Sequence, residues 1–477
     1  MSLDHSHAPS ASMPVPEERD PRMPRLTLAP GFVRTMGAGW GDPDRSPALT
    51  PGAAAAAAAH RARLSEALPG RRLSVGAGRA PVRANDTVYE FRADSDFLWL
   101  VGAPIEDAVL VMEPAGSGHV AVLYLPAPFR PGDEGFFASA LRGELWVGPM
   151  PGLAEYAEAL SLRTRPLEEL HVDEGTLQLA GTASPGIASV PRSTELARTL
   201  SELRMIKDPW EIAQLRAAVD HTVAGFAATV GEIPTAIAGG GERWLQGTFD
   251  RHARTAGNGP GYATIVGSGA RASILHWVRA EGAVDPEAAL LLDMGVEERT
   301  GYTADITRTF PASGSFTAVQ RQVHDLVERA HRAALAAVGP GRAWSDFHVA
   351  SMEVLAQGLH DWGLLDVSVD EAMSPDGQQH RRFIVCGVGH HVGLDVHDCA
   401  SSGYAAYQGS AMRDGMVLAV EPGLYFHAFD ESLPPELRGI GVRLEDDVLI
   451  TGTGAEVLSS ALPIDATGIE EWMRTPR

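Results

Sequence analysis

Cysteine is scarce in this chain of 477 residues, which contains only Cys386 and Cys399. Two thiols are too few for a disulfide framework, and they lack the paired spacing of a zinc ribbon. Long apolar runs are missing too: the longest run of small apolar residues is Ala53–Ala59, far short of the roughly 20 residues that span a bilayer. The polar first 20 residues lack the basic patch and apolar core of a signal peptide. These absences predict a cytoplasmic protein without a membrane partner.

Positive charge is also in short supply. Lysine occurs once, at Lys207, and 39 lysine and arginine residues face 61 aspartates and glutamates, for a formal net charge of −22. Neutralising the phosphates of a nucleic acid or an anionic membrane requires clustered basic side chains. The composition therefore argues against both partners and favours small neutral or cationic substrates.

The chain does have enough apolar residues, 44%, to build more than one packed domain. Residues 1–50 are rich in Pro, Ser, Ala and charge without apolar periodicity, which predicts a flexible or loosely docked N-terminal arm. Between residues 51 and 190, strand-like runs alternate with helical stretches and predict a smaller α/β domain. The strand-like runs are Phe97–Val101, Ala108–Met112 and His119–Tyr124.

Residues 191–477 predict an α+β domain with long helices and antiparallel strands. Asp208, Pro209 and Glu211 form a capping-box sequence that begins a helix within 194–230. Two further amphipathic helices are predicted at Thr317–Val338 and Ser345–Trp362. The predicted strands are Ala289–Met294, Tyr302–Phe310, Val417–Val420 and Val442–Ile450.

Two of these apolar strands each contain an acidic residue. Asp293 lies near the end of one strand, and Asp305 follows 12 positions later, beyond a turn-like stretch. A hairpin of that length can place both carboxylates on one face, where they would repel each other unless a cation lay between them. For this pair alone, two carboxylates at solvated strand ends are the alternative.

Three more residues add to the pattern. His390 lies between Gly389 and Gly393, and neutral imidazole is a common metal ligand, although a lone histidine here is more often structural. Glu421 ends a buried strand, and Glu445 follows Arg443, which could simply pair with it on the same strand face. Each signal is weak alone, and together they predict a buried metal site.

Four carboxylates and one imidazole form a ligand set of mainly hard oxygens. Such a set suits manganese, with cobalt, iron or zinc as alternatives. Bridging carboxylates would hold two divalent ions roughly 3.5–4 Å apart, an arrangement that activates a shared water and polarises a carbonyl. The predicted reaction is amide hydrolysis.

The order and spacing of these motifs resemble the pita-bread metallopeptidases, and most closely the Xaa-Pro aminopeptidases (aminopeptidase P) of family M24. The similar stretch begins around Asp86–Val101, continues through residues 261–269 and runs to residues 438–447. The resemblance implies a C-terminal pita-bread catalytic domain preceded by the smaller α/β domain. It also implies a homodimer or homotetramer that removes the N-terminal residue from small peptides with proline in second position.

The resemblance further implies a dinuclear, usually manganese, centre. Its ligands would be Asp293, Asp305, His390, Glu421 and Glu445. Glu421 would relay the proton of a hydroxide that bridges the two ions, and Arg443 would orient Glu445.

Four further residues are assigned to substrate binding by the same resemblance. His276 and His397 would hold the scissile carbonyl and the tetrahedral intermediate, where donors aimed at developing negative charge are most effective. Tyr262 lies in the similar stretch at 261–269. Asp86 would help to close the site of a neighbouring subunit.

One position departs from the family pattern. Four residues before His390, where the family usually has a histidine, this chain has Cys386. A thiol is a weaker donor than imidazole, so we expect Cys386, as a substrate-binding residue, to tune specificity or rate. Three alternatives stay open: a prolidase restricted to Xaa-Pro dipeptides, a non-peptidase hydrolase or lyase on the same fold, and a metal-free binding module.

Overall fold

The computed structural model describes residues 30–85, 87–179 and 192–475. The chain divides into two compact units between Ser193 and Thr194. The division into an arm at 1–50 and domains at 51–190 and 191–477 stays a prediction. Among the described residues, no helix combines the length and the apolar character needed to cross a membrane.

The N-terminal unit is built around a five-stranded mixed sheet. The central three strands run antiparallel to one another, and each outer strand runs parallel to its neighbour. From edge to edge the strands are Arg163–Pro166, Gly118–Leu125, Val109–Ala115, Leu73–Gly76 and Leu177–Leu179. A separate hairpin pairs Val82–Ala84 with Thr87–Val88. The helices are Pro30–Met36, Ala53–Ala67, Ser95–Val101, Gly135–Ala138, Glu144–Val147 and Leu153–Leu160, with a 3₁₀ turn at Leu167–Glu169.

The predicted strand at 97–101 is wrong, because this stretch lies in the α-helix Ser95–Val101. The side chain of Asp94 caps the helix by accepting hydrogen bonds from two backbone N–H groups, and Gly102 ends it at a φ of 79°. Every residue of the helix is buried. A short apolar run that is buried on all sides shows no period that distinguishes helix from strand.

Residues 30–50, which fall in the predicted arm, contact two short helices of the N-terminal unit. The ring of Phe32 packs edge-on against Phe137 with centroids 5.2 Å apart. Arg45 forms an ion pair with Glu144, with Nε 2.5 Å from Oε1. These contacts tie the described part of the arm to the unit.

The C-terminal unit contains a three-stranded sheet, a four-stranded sheet and two small strand pairs. The three-stranded sheet has the order Ile306–Pro311, Ala289–Met294 and Ile265–Ser268. The four-stranded sheet has the order Gly389–His391, Val417–Val420, Asp446–Thr451 and Gly454–Val457. The pairs are Gly423–Phe426 with Ile440–Arg443, and Val296–Glu297 with Gly259–Pro260. All pairings in these sheets are antiparallel.

Two pairs of long helices cover these sheets. Pro209–Gly231 and Gly241–Ala256 share one apolar core with the three-stranded sheet. Ala318–Ala337 and Ser345–Asp361 share a second core with the four-stranded sheet. The remaining helical segments are Thr194–Arg204, Ile233–Thr235, Ala236–Gly240, Gly269–Ser273, Val369–Met373, Gln379–Arg382 and Ala466–Arg474.

The helix predictions for this unit are confirmed to within a residue or two. Asp208 accepts hydrogen bonds from two backbone N–H groups and begins the helix Pro209–Gly231, as its capping-box sequence predicts. Two strand predictions need correction. The strand predicted from Tyr302 begins only at Ile306, and the strand predicted at 442–450 is interrupted between Arg443 and Asp446.

Alternation along the strands decides which side chains face away from the helices. In Ala289–Met294, the side chains of Leu290, Leu292 and Met294 belong to the helix-facing core, so Asp293 points to the opposite face. The same period of two applies to the other strands. It leaves Thr307, Ala419, Arg443 and Asp447 on the face away from the helices.

Candidate metal centre

The five predicted ligands converge in one buried region of the C-terminal unit. They form three overlapping groups in which one donor atom from each member lies within 4.8 Å of the others. The groups are Asp293, Asp305 and Glu445; His390, Glu421 and Glu445; and Asp305, His390 and His397. The structure thus brings together side chains that lie up to 152 positions apart in the sequence.

The two aspartates meet at the end of a strand pair. Asp293 is paired in register with Thr307, so Asp305 lies just beyond the last paired residue rather than opposite Asp293. The backbone N–H of Asp305 donates to Oδ2 of Asp447 at 3.0 Å, which fixes the start of the second strand. Both ligand side chains are almost completely buried, at 7% exposure for Asp293 and 5% for Asp305.

His390 is held by the four-stranded sheet, where it pairs with Ala419. A Cβ at Gly389 would lie 2.3 Å from the carbonyl oxygen of Ala419, so only glycine permits this close approach. Nδ1 of His390 lies 3.1 Å from the carbonyl oxygen of His391 and can donate to it. This bond leaves Nε2, which lies 3.4 Å from Oδ2 of Asp305 and 3.5 Å from Oε1 of Glu421, free to bind a cation.

The crowded carboxylates are costly to ionise together. Burial, followed by repulsion from neighbouring carboxylates, raises the pKa of Glu445 well above its usual value. Burial also raises the pKa of Glu421 to about 7 and raises the pKa of Asp293, although Arg443 opposes both shifts. A divalent cation would relieve this cost by neutralising the negative charge. The donor set therefore fits a divalent cation.

The pKa of His390 is also raised, but here the shift favours the charged form. Burial lowers its pKa, but the hydrogen bond to Asp305 and the negative charge of Glu421 outweigh burial and raise the pKa to about 9. The imidazole thus sits among carboxylates that favour a positive charge at its position. A bound cation would take over that charge and leave the ring neutral, the form that binds metal.

Arg443 positions two of the carboxylates through hydrogen bonds. Its NH2 donates to Oδ2 of Asp293, and its Nε donates to Oγ1 of Thr307 at 3.0 Å. The hydroxyl of Thr307 in turn donates to Oε2 of Glu445 at 2.6 Å. Sequence analysis predicts that Arg443 orients Glu445. The structure places Asp293 in direct contact with Arg443 and connects Glu445 to it through Thr307.

Two tyrosines complete this hydrogen-bond network. The hydroxyl of Tyr262 donates to Oδ1 of Asp293 at 2.6 Å. The hydroxyl of Tyr425 accepts from NH1 of Arg443 at 3.0 Å. Tyr262 therefore contacts a predicted ligand directly, and its role in substrate binding stays a prediction. Thr307 and Tyr425 escape sequence analysis because a hydroxyl near an acidic motif does not by itself indicate a partner that is distant in sequence.

His397 lies on a loop that a buried ion-pair cluster anchors. The rings of His397 and His390 meet edge-on with centroids 4.4 Å apart. The neighbouring Asp398 accepts from Nζ of Lys207 at 3.0 Å and from Arg204. The only lysine of the chain is thus used to hold this loop in place. Lys207 and Asp398 escape sequence analysis because a single lysine beside a helix cap carries no functional signal.

His276 and Cys386 also belong to this region. Burial lowers the pKa of His397, and the charges of His390 and His276 contribute to the shift, which places His276 near the cluster. Burial and the charge of Glu421 raise the pKa of the Cys386 thiol, which therefore stays protonated. Asp86 lies outside the described residues. The catalytic and binding roles assigned to these residues stay predictions.

Comparison with known proteins identifies the family. Residues 213–452 match metallopeptidase family M24, and residues 57–174 match the aminopeptidase P N-terminal domain. The chain is 43% identical over 459 residues to Xaa-Pro aminopeptidase 2 of Streptomyces coelicolor, covering 94% of this chain and 97% of that relative. The chain belongs to the Xaa-Pro aminopeptidase branch of metallopeptidase family M24. It is a metallo-aminopeptidase, which confirms the family predicted from the motifs.

Other relatives support the same family and fold. The Xaa-Pro aminopeptidase of Haemophilus influenzae is 32% identical, with 82% of this chain and 90% of that relative covered. Aminopeptidase P from Escherichia coli in its low-pH form has a TM-score of 0.76 at 28% identity, with 88% of this chain and 98% of that chain covered. The zinc-substituted form of that enzyme in complex with product has the same TM-score at 29% identity. The predicted pita-bread catalytic domain after a smaller α/β domain is thereby confirmed.

Proposed function

We propose that this chain is an Xaa-Pro aminopeptidase that removes the N-terminal residue from peptides with proline in second position. The convergence of Asp293, Asp305, His390, Glu421 and Glu445 in one buried region carries the proposal. The names of the relatives supply the substrate class. Peptides with a penultimate proline need a dedicated enzyme, because proline lacks an N–H and fixes the backbone, which disfavours the extended docking used by general peptidases.

We infer that the five side chains hold two divalent ions. Manganese is our first choice because four of the five ligands are carboxylates, and cobalt, zinc and iron are the alternatives. When bound, the ions would supply an activated water and polarise the scissile carbonyl. The raised pKa of the carboxylates supports this inference, since the site is costly to maintain without positive charge.

The side chains would share the remaining chemistry. Glu421 would accept a proton and pass it to the leaving proline nitrogen. His276 and His397 would donate hydrogen bonds to the carbonyl oxygen as negative charge develops there. Tyr262 and Arg443 would keep Asp293 in a fixed orientation.

The assembly and location of the enzyme are part of the same proposal. We propose a cytoplasmic homodimer or homotetramer that acts on small peptides and binds neither nucleic acid nor membrane. Its composition, with a formal net charge of −22, supports the absence of polyanionic partners. Light scattering of the purified protein would establish the number of subunits.

A turnover assay with defined peptides tests the function. The protein is stripped with a chelator and then titrated with manganese, cobalt or zinc while release of the first residue is measured. We expect activity on an Xaa-Pro-Xaa tripeptide to return with about two ions per chain, and to be negligible on a matched Xaa-Ala-Xaa tripeptide. The Asp305→Asn variant should neither bind the second ion nor turn over. Turnover of an Xaa-Pro dipeptide alone would indicate a prolidase instead, and metal-independent activity would refute the proposed centre.

A further inference from the structure

His276 lies on a segment without regular secondary structure. After the 3₁₀ turn Gly269–Ser273, the chain continues to Gly282 without a helix or strand. His276 is exposed, as are its neighbours Ile274 and Val278 at 38% and 42%. The flanking side chains of Leu275 and Trp277 pack against apolar cores. The imidazole itself is exposed, so its own packing does not fix its position. Its orientation must be set by whatever holds the segment.

Side chains of the helix Gly241–Ala256 hold the segment, and Gln246 and Arg243 donate to the carbonyl oxygens of Val278 and Arg279. Among these side chains, Glu242 binds the segment at both ends and at its centre. Oε1 of Glu242 accepts from the backbone N–H of Ser268 at 2.9 Å and from Nε of Arg271. Oε2 accepts from Nε1 of Trp277 at 2.8 Å and from the backbone N–H of Gly282 at 2.9 Å. Trp277 is the residue next to His276, and it is buried.

The burial of Glu242 makes these bonds strong and costly to lose. Its side chain has no exposed surface, and the four donors satisfy both oxygens. Hydrogen bonds to an ionised carboxylate are roughly twice as strong as neutral ones. Because all four donors belong to the segment from Ser268 to Gly282, Glu242 fixes that segment to the helix Gly241–Ala256, which itself packs into the core.

We propose that Glu242 is a positioning residue for catalysis, which holds the 268–282 segment so that the imidazole of His276 faces the metal centre. The inference rests on the proposed function, in which His276 stabilises the charge that develops on the substrate carbonyl. A shift of about 1 Å in such a group can lower the rate on the order of 100-fold. Glu242 would therefore influence catalysis without touching substrate or metal.

Two variants change the contacts of Glu242, and the first does so with almost no change in volume. Glu242→Gln turns one acceptor into an amide that faces two donors, and we expect kcat to fall by about 10- to 100-fold with a smaller change in KM. Trp277→Phe keeps an aromatic ring but removes one donor, and should lower kcat roughly 3- to 10-fold. Glu470→Gln is the matched control, because Glu470 is also buried and accepts from a backbone N–H and from Arg321, but in another part of the unit. It should leave kcat unchanged.

A double-mutant cycle with His276→Ala separates positioning from general support of the fold. If Glu242 acts through His276, the double variant should be no slower than His276→Ala alone. Losses that multiply would overturn the positioning role while leaving the proposed function intact. Full activity of His276→Ala would instead refute the role of His276 in the proposed function.

Hydrogen exchange provides a readout that does not depend on activity. In Glu242→Gln, the amides of residues 274–282 should exchange faster, while those of the four-stranded sheet should not change. Unchanged exchange in the segment would also overturn the proposal. If Glu242→Gln does not fold, the same cycle and the same exchange measurement with Trp277→Phe decide the question.

Discussion

Arg443 donates a hydrogen bond to Asp293 and, through Thr307, holds Glu445 in place. One guanidinium thus supports two candidate ligands, one on the strand Ala289–Met294 and one between the strands Ile440–Arg443 and Asp446–Thr451. Its planar group of donors reaches Asp293, Thr307 and Tyr425 at the same time. Tyr425 and the nearby carboxylates raise the pKa of Arg443 despite its burial, so the guanidinium stays charged.

Replacing Arg443 with lysine should therefore weaken metal binding while keeping the positive charge. The ammonium group of lysine cannot contact all three partners, so Asp293 and Glu445 would lose their fixed orientation. We expect metal affinity to fall by about 10- to 100-fold. Calorimetric titration of the stripped protein with the metal ion measures this change. Arg216→Lys is the control, because Arg216 forms an exposed ion pair with Glu456. Equal affinities for both variants would contradict the supporting role of Arg443.

The five candidate ligands that converge could be singled out because each one is an ionisable residue in or beside an apolar strand. Asp293 follows Leu290, Leu291 and Leu292, and a carboxylate in that position is costly without a partner. The fold class followed from the same strands and from the capped helices between them. The relative position of Asp293 and Asp305 could not be calculated from their spacing alone. Asp305 lies beyond the paired strand rather than opposite Asp293.

The supporting residues could not be predicted, because their partners are distant in sequence. Glu242 lies in a polar helical stretch, and nothing in its neighbourhood indicates that it would accept four hydrogen bonds from residues 26 to 40 positions away. Asp398 next to His397 has no sequence signal that points to Lys207, 191 positions earlier. Such contacts are decided by the tertiary packing of the strands and helices rather than by local pattern.

The buried Lys207 should report on global unfolding. It is the only lysine in the chain, it is 4% exposed, and Asp398 raises its pKa against the effect of burial. An amine-reactive reagent needs a neutral, accessible amine, so we expect Lys207 to react only in molecules that unfold. Peptide mass spectrometry after labelling in increasing urea should show modification that follows the loss of secondary structure.

A variant of Asp398, the ion-pair partner of Lys207, provides a comparison for the labelling experiment. Asp398→Asn removes the carboxylate between two buried cations, which typically costs about 3–5 kcal/mol of the free energy of unfolding. Labelling of Lys207 should then begin at lower urea concentration. Rapid labelling of the folded wild-type chain would show that the ion-pair cluster is open to solvent, contrary to the structure.

Buried neutral histidines should make the protein less stable in acid. Burial lowers the pKa of His324 to about 3 and of His331 to about 4. Between these values and roughly 6.5, the unfolded chain binds protons that the folded chain does not, so stability is lost as the pH falls. Each of these histidines contributes about 1.4 kcal/mol per pH unit in that range.

The His324→Leu variant tests this contribution. The difference in the free energy of unfolding between pH 7 and pH 5, measured by urea denaturation, should be smaller for this variant than for wild type. His360→Leu is the control, because His360 is exposed on the helix Ser345–Asp361, and it should retain the wild-type difference. An unchanged difference for His324→Leu would show that His324 is not a neutral buried group.

Cys386 gives the sharpest test of what distinguishes this chain from its family. Its thiol lies close enough to Glu421 and Tyr425 for electrostatic interaction, and its raised pKa keeps it neutral. Replacing it with histidine would place a stronger hydrogen-bond donor beside Glu421. We expect Cys386→His to change kcat/KM on Xaa-Pro peptides several-fold. The ratio of kcat/KM between two peptides that differ in their first or third residue should also change. Cys386→Ala is the control for simple loss of the thiol, and identical kinetics for wild type and Cys386→His would show that this position has no part in specificity or rate.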